Sequence, residues 1–175
     1  MNPKLLRSFN RLESQKKGML SGLAALPHSQ LQLRESPQSW SRAQVLDHVV
    51  KTEAAILDDV RSLLPSSSPV DLRSRMRFPM IVAVMRSPMR VRVPVDASQV
   101  LPDTDCEFDA ISDRWSQVRL LWTEQLEGIE PGQLRYGAFR HPVSGWMTIG
   151  QTLVFLSAHL SHHCIQLGRI GSGTG

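Results

Sequence analysis

Thr148-Ile149-Gly150-Gln151-Thr152-Leu153-Val154-Phe155-Leu156-Ser157-Ala158-His159-Leu160-Ser161-His162-His163-Cys164-Ile165-Gln166-Leu167 reads as one capped helix. Thr148 and Gln151 have the spacing of a capping box, in which two side chains satisfy free N–H groups of the first turn. Ile149, Leu153, Leu156, Leu160, His163 and Leu167 recur at steps of three and four, so they share one apolar face. His163 sits inside that seam, where an imidazole without a partner costs free energy. His159 and Gln166 flank the same side, and His162 is expected to point away into solvent. Imidazoles on adjacent turns can converge on one point, which makes His159 and His163 half of a transition-metal site.

Working outward, three more long helices are predicted. The first spans about 3–26: Asn2 caps it, Pro3 suits its first position, and Leu5, Phe9, Leu12, Met19 and Leu23 form a stripe that Lys16 interrupts. A polar, turn-rich stretch over 27–40 breaks the chain. The second helix opens at Ser41 with a Ser41–Gln44 capping box, followed by Val45, Val49, Thr52, Ile56 and Leu63, with His48 on the flank of that stripe. Residues 65–69 end it. The third starts near Thr104 with a further box, Thr104–Glu107, and carries Phe108, Ile111, Trp115, Val118 and Trp122 before Pro131-Gly132.

Between helices two and three, residues 70–103 hold Arg73, Arg75, Arg77, Arg86, Arg90 and Arg92, with no acid between Asp71 and Asp96. Pro79, Pro88 and Pro94 restrict any helix there to short pieces, so the segment reads as a long crossover. No alternating strand pattern competes. The expected fold class is all-α, a four-helix bundle with that crossover, as one domain over 1–170 and a flexible tail over 171–175.

At 175 residues, 41% hydrophobic and 21% charged, the chain is long enough to bury one core without staples. Cys106 and Cys164 do not make a disulfide framework and read as reduced thiols. The N-terminus lacks the apolar region of a signal peptide, and the most apolar run, 78–85, is too short to span a bilayer. A cytoplasmic protein without membrane association is expected. A net charge of +4 points only weakly to anionic partners. Nucleic acid ranks last among them, because no recognition helix or aromatic-interleaved basic stripe is present.

His48 supplies a possible third imidazole from a facing helix, and helix bundles build metal sites in this way. Three histidines leave a coordination position open for water or substrate. The alternative is that His48 and His163 are core histidines bonded to the backbone or to each other, and spacing leaves both readings open.

Trp40-Ser41, Gln44-Val45-Leu46 and His48, followed by His141-Pro142, Gly145, Thr148 and His159-x-x-x-His163 with Gln166-Leu167, resemble the signatures of the DinB/YfiT-like superfamily. The resemblance follows the helices in order and is poor between residues 70 and 103. It implies a four-helix bundle with a divalent metal, zinc or nickel, held by His48, His159 and His163, and it implies a homodimer. Some members of the superfamily use a low-molecular-weight thiol such as bacillithiol or mycothiol. Two functions are therefore expected to compete. One is a metal-dependent thiol S-transferase or a related hydrolase or isomerase acting on a small molecule. The other is a non-catalytic, stress-related metal or small-ligand binding protein. The remaining candidates are secondary. His141 fixes a turn with Pro142 and Gly145 or lines the site mouth. Gln166 orients a ligand histidine or sits at the bundle edge. Glu53 and Asp59 are available as acid or base, and Arg73 to Arg92 either bind carboxylates or form a solvated basic face. The four tryptophans read as core or staple residues.

Overall fold

The computed structural model of the chain describes residues 1–66, 68–91 and 97–170. Its helices are α1 (Pro3–Ala24), the single turn α2 (His28–Leu31), α3 (Arg42–Leu63), α4 (Leu72–Arg86), α5 (Phe108–Glu127) and α6 (Ile149–Arg169). The long helices α1, α6, α3 and α5 pack in that order around the core, the expected four-helix bundle. Asn2 caps α1 through Lys4 N, and complete capping boxes open α3 at Ser41 and α6 at Thr148. The predicted stripes are the buried faces: Leu5, Phe9, Leu12, Met19 and Leu23 of α1 meet Trp115 and Trp122 of α5 and Leu153, Leu156 and Leu160 of α6. Lys16 stays in its stripe by laying its stem inward and donating from Nζ to Ser116 Oγ at 3.0 Å.

Three expectations are corrected. The crossover carries a full helix, α4, which runs through Pro79. Pro79 lies on the solvent side, as does Arg75, whose carbonyl it cannot bond, while Ile81, Val82 and Met85 are buried on the other side. Asp71 caps α4, accepting from Ser74 N at 2.9 Å. Second, Thr104–Glu107 is not a capping box: α5 begins at Phe108, and Glu107 makes no side-chain capping bond. The chain here is tied to α3 instead, with Asp103 N donating to the buried Asp47 carboxylate at 2.9 Å and the Asp103 carboxylate accepting from Lys51. Third, a two-stranded antiparallel hairpin, β1 (Gly137–His141) and β2 (Gly145–Thr148), precedes α6, with His141 opposite Gly145 and Arg140 opposite Trp146. Gly145 turns it with φ +80°, and a Cβ there would stand 2.5 Å from Ser74 Oγ. Trp146 N also donates to that hydroxyl at 3.1 Å, which fastens the hairpin to α4.

Helix α4 packs along α6, so α6 is flanked by α1, α3 and α4. The predicted tail, Gly171–Gly175, lies outside the described residues, as do Arg92, Pro94 and Asp96. No helix among the described residues is long and apolar enough to cross a membrane.

Candidate metal centre

The histidine spacing of α6 becomes geometry in the core. His159 and His163, one turn apart, face each other with their Nε2 atoms 3.0 Å apart, and the rings stand nearly perpendicular. His48 reaches them from α3, with ring centroids 5.3 Å from His159 and 4.9 Å from His163. One nitrogen from each ring falls within a common span of 4.8 Å, and all three residues are buried.

Each ring is held from behind. His48 Nδ1 lies 2.7 Å from the Val100 carbonyl, so it carries the proton and leaves the Nε2 lone pair facing inward. His163 Nδ1 pairs with Gln166 Oε1 at 2.8 Å, with the same consequence. Trp40 leans on His48 at 4.8 Å, and Phe155, one turn before His159, stacks on it at 6.1 Å. Burial holds all three imidazoles neutral. It lowers the pKa of His48 although the Val100 bond opposes the shift, it pushes His163 down to about 3 with help from His48, and it pushes His159 well below the usual range. Neutral imidazole is the form that binds metal.

The residues fit a metal ion. Protein hydrogen bonds cannot satisfy His159: Nδ1 is buried without a partner, whereas Nε2 faces the lone pair of His163 Nε2. If His159 donates to His163, Nδ1 keeps an unsatisfied lone pair; if Nδ1 carries the proton, two lone pairs meet head-on. A cation between the inward nitrogens removes the second conflict. Nitrogens around tetrahedral zinc, with bonds of about 2.1 Å, stand roughly 3.4 Å apart, so the α6 pair at 3.0 Å needs only a small opening to accept the ion.

The triad forms part of the wall of a cleft of about 820 Å³, so it is not sealed. Helix α4 contributes Ile81 and Met85 to the cleft, and the hairpin contributes Phe139, Arg140 and His141. Arg90 and Arg169 stand at the cleft beside Glu35, which pairs with both. Of the arginines expected to bind carboxylates, only Arg90 lines the cleft among the described residues; Arg73, Arg75 and Arg86 are exposed on or at the end of α4.

Other sequence expectations separate here. Gln166 orients His163. His141 does both of the things open to it: its Nδ1 accepts from Val143 N and Ser144 N, and its ring lines the cleft. His162 is corrected. It is 6% exposed and packs against His163, because the side of α6 that a bare four-helix bundle would leave to solvent faces α4, and Arg169 two turns later bonds the Pro88 carbonyl just beyond that helix. Glu53 is turned away into a bond with Arg119, whereas Asp59 lines the cleft, its carboxyl pushed up by burial and by Asp58. Trp115 and Trp122 are core residues; Trp40 stands at the site. Sequence reasoning missed Val100 and Phe155. Phe155 is visible in retrospect at i−4 from His159, but nothing in the crossover marks the Val100 carbonyl.

The model of the DinB superfamily matches this chain over residues 11–167. Among solved structures the chain is similar to YfiT from Bacillus subtilis, described as a probable metal-dependent hydrolase with an unusual four-helix bundle topology. That likeness has a TM-score of 0.59 and 17% identity over 97% of this chain and 86% of YfiT. No curated protein matches.

Proposed function

This chain belongs to the DinB superfamily, and from that premise we propose that it is a divalent-metal-dependent enzyme acting on a small molecule in the cleft, with His48, His159 and His163 as the metal ligands. The observation that carries the reading is the conjunction of the triad with the cleft. Three neutral imidazoles point at one another from two helices, and the space beside them opens into about 820 Å³. A protein that only stored metal would close the fourth position; an adjoining cleft favours the enzyme over the non-catalytic binding protein.

When bound, zinc or nickel in such a site lowers the pKa of a coordinated thiol or water and supplies a nucleophile at neutral pH. The chain's own residues provide the rest. Val100 and Gln166 fix the tautomers of His48 and His163, and Trp40 and Phe155 hold the rings against rotation. Arg90 and Arg169 are paired with Glu35 at the cleft, and Arg140 adds a guanidinium suited to a carboxylate-bearing thiol or electrophile. Asp59, with its raised pKa, is placed on the cleft wall to carry a proton. Within this class we favour S-transfer from a low-molecular-weight thiol, because the cleft combines the Arg140 guanidinium with apolar Ile81, Met85 and Phe139. Hydrolysis by the same metal is the second reading, favoured by YfiT's description.

The test is metal analysis of the purified protein beside His48→Ala, His159→Ala and His163→Ala. Loss of bound metal in all three variants is expected, and unchanged content in all three would refute the ligand set. Titrating metal-loaded protein with thiols and electrophiles then separates S-transfer, seen as a metal–thiolate absorption with turnover, from hydrolysis, which proceeds without added thiol.

A further inference from the structure

The hairpin presents a histidine that the metal site does not use. His141 ends β1, and its Nδ1 accepts from Val143 N at 3.1 Å and Ser144 N at 3.3 Å. A nitrogen that accepts two N–H bonds carries no proton, so in the neutral ring the proton resides on Nε2. Turning the ring over would put a C–H group where Nδ1 accepts, so the orientation is fixed together with the tautomer. Among the described residues His141 Nε2 has no hydrogen-bond partner, and it is not one of the polar atoms sealed from solvent. The ring lines the cleft and stands 5.0 Å from Phe155, the same ring that stacks on His159. One aromatic side chain therefore separates the histidine triad from an unused N–H donor whose direction is set before any ligand arrives.

We propose that His141 is a ligand-binding residue of the cleft, a neutral Nε2–H donor that recognises a carbonyl-type oxygen on the molecule bound at the histidine triad. This rests on the reading of the triad as a metal centre. The competing role is purely structural, a cap for the 142–144 turn, and a single substitution separates the two. In His141→Asn the side-chain oxygen can take the place of Nδ1 and accept the same N–H groups, as asparagine does in turns, while no donor remains where Nε2–H was.

Two measurements decide it. The first is calorimetric titration of the zinc-loaded protein with N-acetylcysteamine, whose thiol can take the metal and whose amide carbonyl is left to accept from His141. His141→Asn is expected to keep the wild-type zinc stoichiometry and to bind the probe about three- to tenfold more weakly, the loss of one neutral hydrogen bond. Equal affinity in the two proteins, or no binding by the wild type, overturns the proposal. The second is long-range proton–nitrogen NMR of the nitrogen-15-labelled, metal-free protein, which reads the His141 tautomer directly. The Nε2-protonated form is expected, and an Nδ1-protonated or averaged ring overturns the proposal. If the wild type holds no zinc, the metal reading falls separately and the tautomer still decides His141. It also decides should His141→Asn fail to fold.

Discussion

Removing the carboxylate of Glu53 should expose what binds three of the bundle helices together. Glu53 is 1% exposed in the middle of α3. Its carboxylate accepts from Trp115 Nε1 at 2.8 Å and from Arg119 Nη2 at 2.7 Å, and its backbone carbonyl accepts from Trp122 Nε1 at 3.3 Å. Arg119, 4% exposed, lies over the rings of Phe9 of α1 and Trp115, with Glu13 of α1 as its other acidic neighbour at 3.5 Å. Glu53→Leu leaves that guanidinium buried and almost uncompensated. Breaking a buried pair from one side costs about 3–5 kcal/mol. Glu13 is half in solvent and free to close on Arg119, so a loss near 3 kcal/mol is expected, a large share of the total stability of a domain this size. Arg119→Met leaves the carboxylate with only Trp115 Nε1 and the more distant Lys16 ammonium, but burial already raises its pKa and it can take up a proton, so this loss too should be about 3 kcal/mol. The double variant Glu53→Leu/Arg119→Met removes both charges and keeps most of the volume, so it should return to within about 1–2 kcal/mol of wild type. Urea unfolding followed by tryptophan fluorescence measures all four proteins, with Trp115 and Trp122 reporting from beside the pair. If the two single losses simply add in the double variant, the pair is not a coupled unit and the reasoning fails.

Other perturbations have equally definite outcomes. Gln166→Leu removes the acceptor behind His163 Nδ1 and should weaken metal binding about 10- to 100-fold with little change in folding stability, measured by competition with a chromophoric chelator. Acid should destabilise the metal-free protein early. The folded pKa values of His141 and His163, about 4 and about 3, lie below the unfolded value near 6.5, so the unfolded chain takes up protons first. Their stabilising contribution is complete above pH 6.5 and falls by roughly 3 kcal/mol per pH unit for the two together on the way down to pH 4. A urea midpoint that does not change between pH 7 and pH 5 would contradict their burial as neutral rings. Gly145→Ala forces a side chain into φ +80° and against Ser74, and should cost about 1–2 kcal/mol in thermal or urea unfolding.

What the sequence made legible follows from where its periodicities are strong. The stripes of α1, α3, α5 and α6 bury one face each, and a face buried against one core must repeat at helical spacing, so those helices and two of three capping boxes could be read directly. The histidine triad was legible for the same reason, since i, i+4 spacing places His159 beside His163 wherever the helix lies. Helix α4 was not, because it buries only a narrow stripe and its one proline faces solvent, which makes Pro79 look like a breaker when it is tolerated. The error about His162 is a consequence of missing α4. Val100 and Arg140 belong to a connection and a short hairpin, where position depends on tertiary contacts and no local pattern announces it.

The separation of His48 from His159 and His163 along the chain also sets a time order. While the polypeptide is being synthesised, His48 emerges early and waits, with α3, for a helix that almost the whole remaining sequence must precede. Two of the three imidazoles, the seam that packs between α1, α3 and α4, and the glutamine behind His163 all arrive together in α6. A nascent chain shorter than that helix therefore offers only one of the three imidazoles that converge in the core, and a truncated product released before residue 159 cannot assemble the triad. Under the proposed ligand set, a metal held by all three imidazoles can be acquired only after α6 has docked, so its possession would mark a chain that has finished folding.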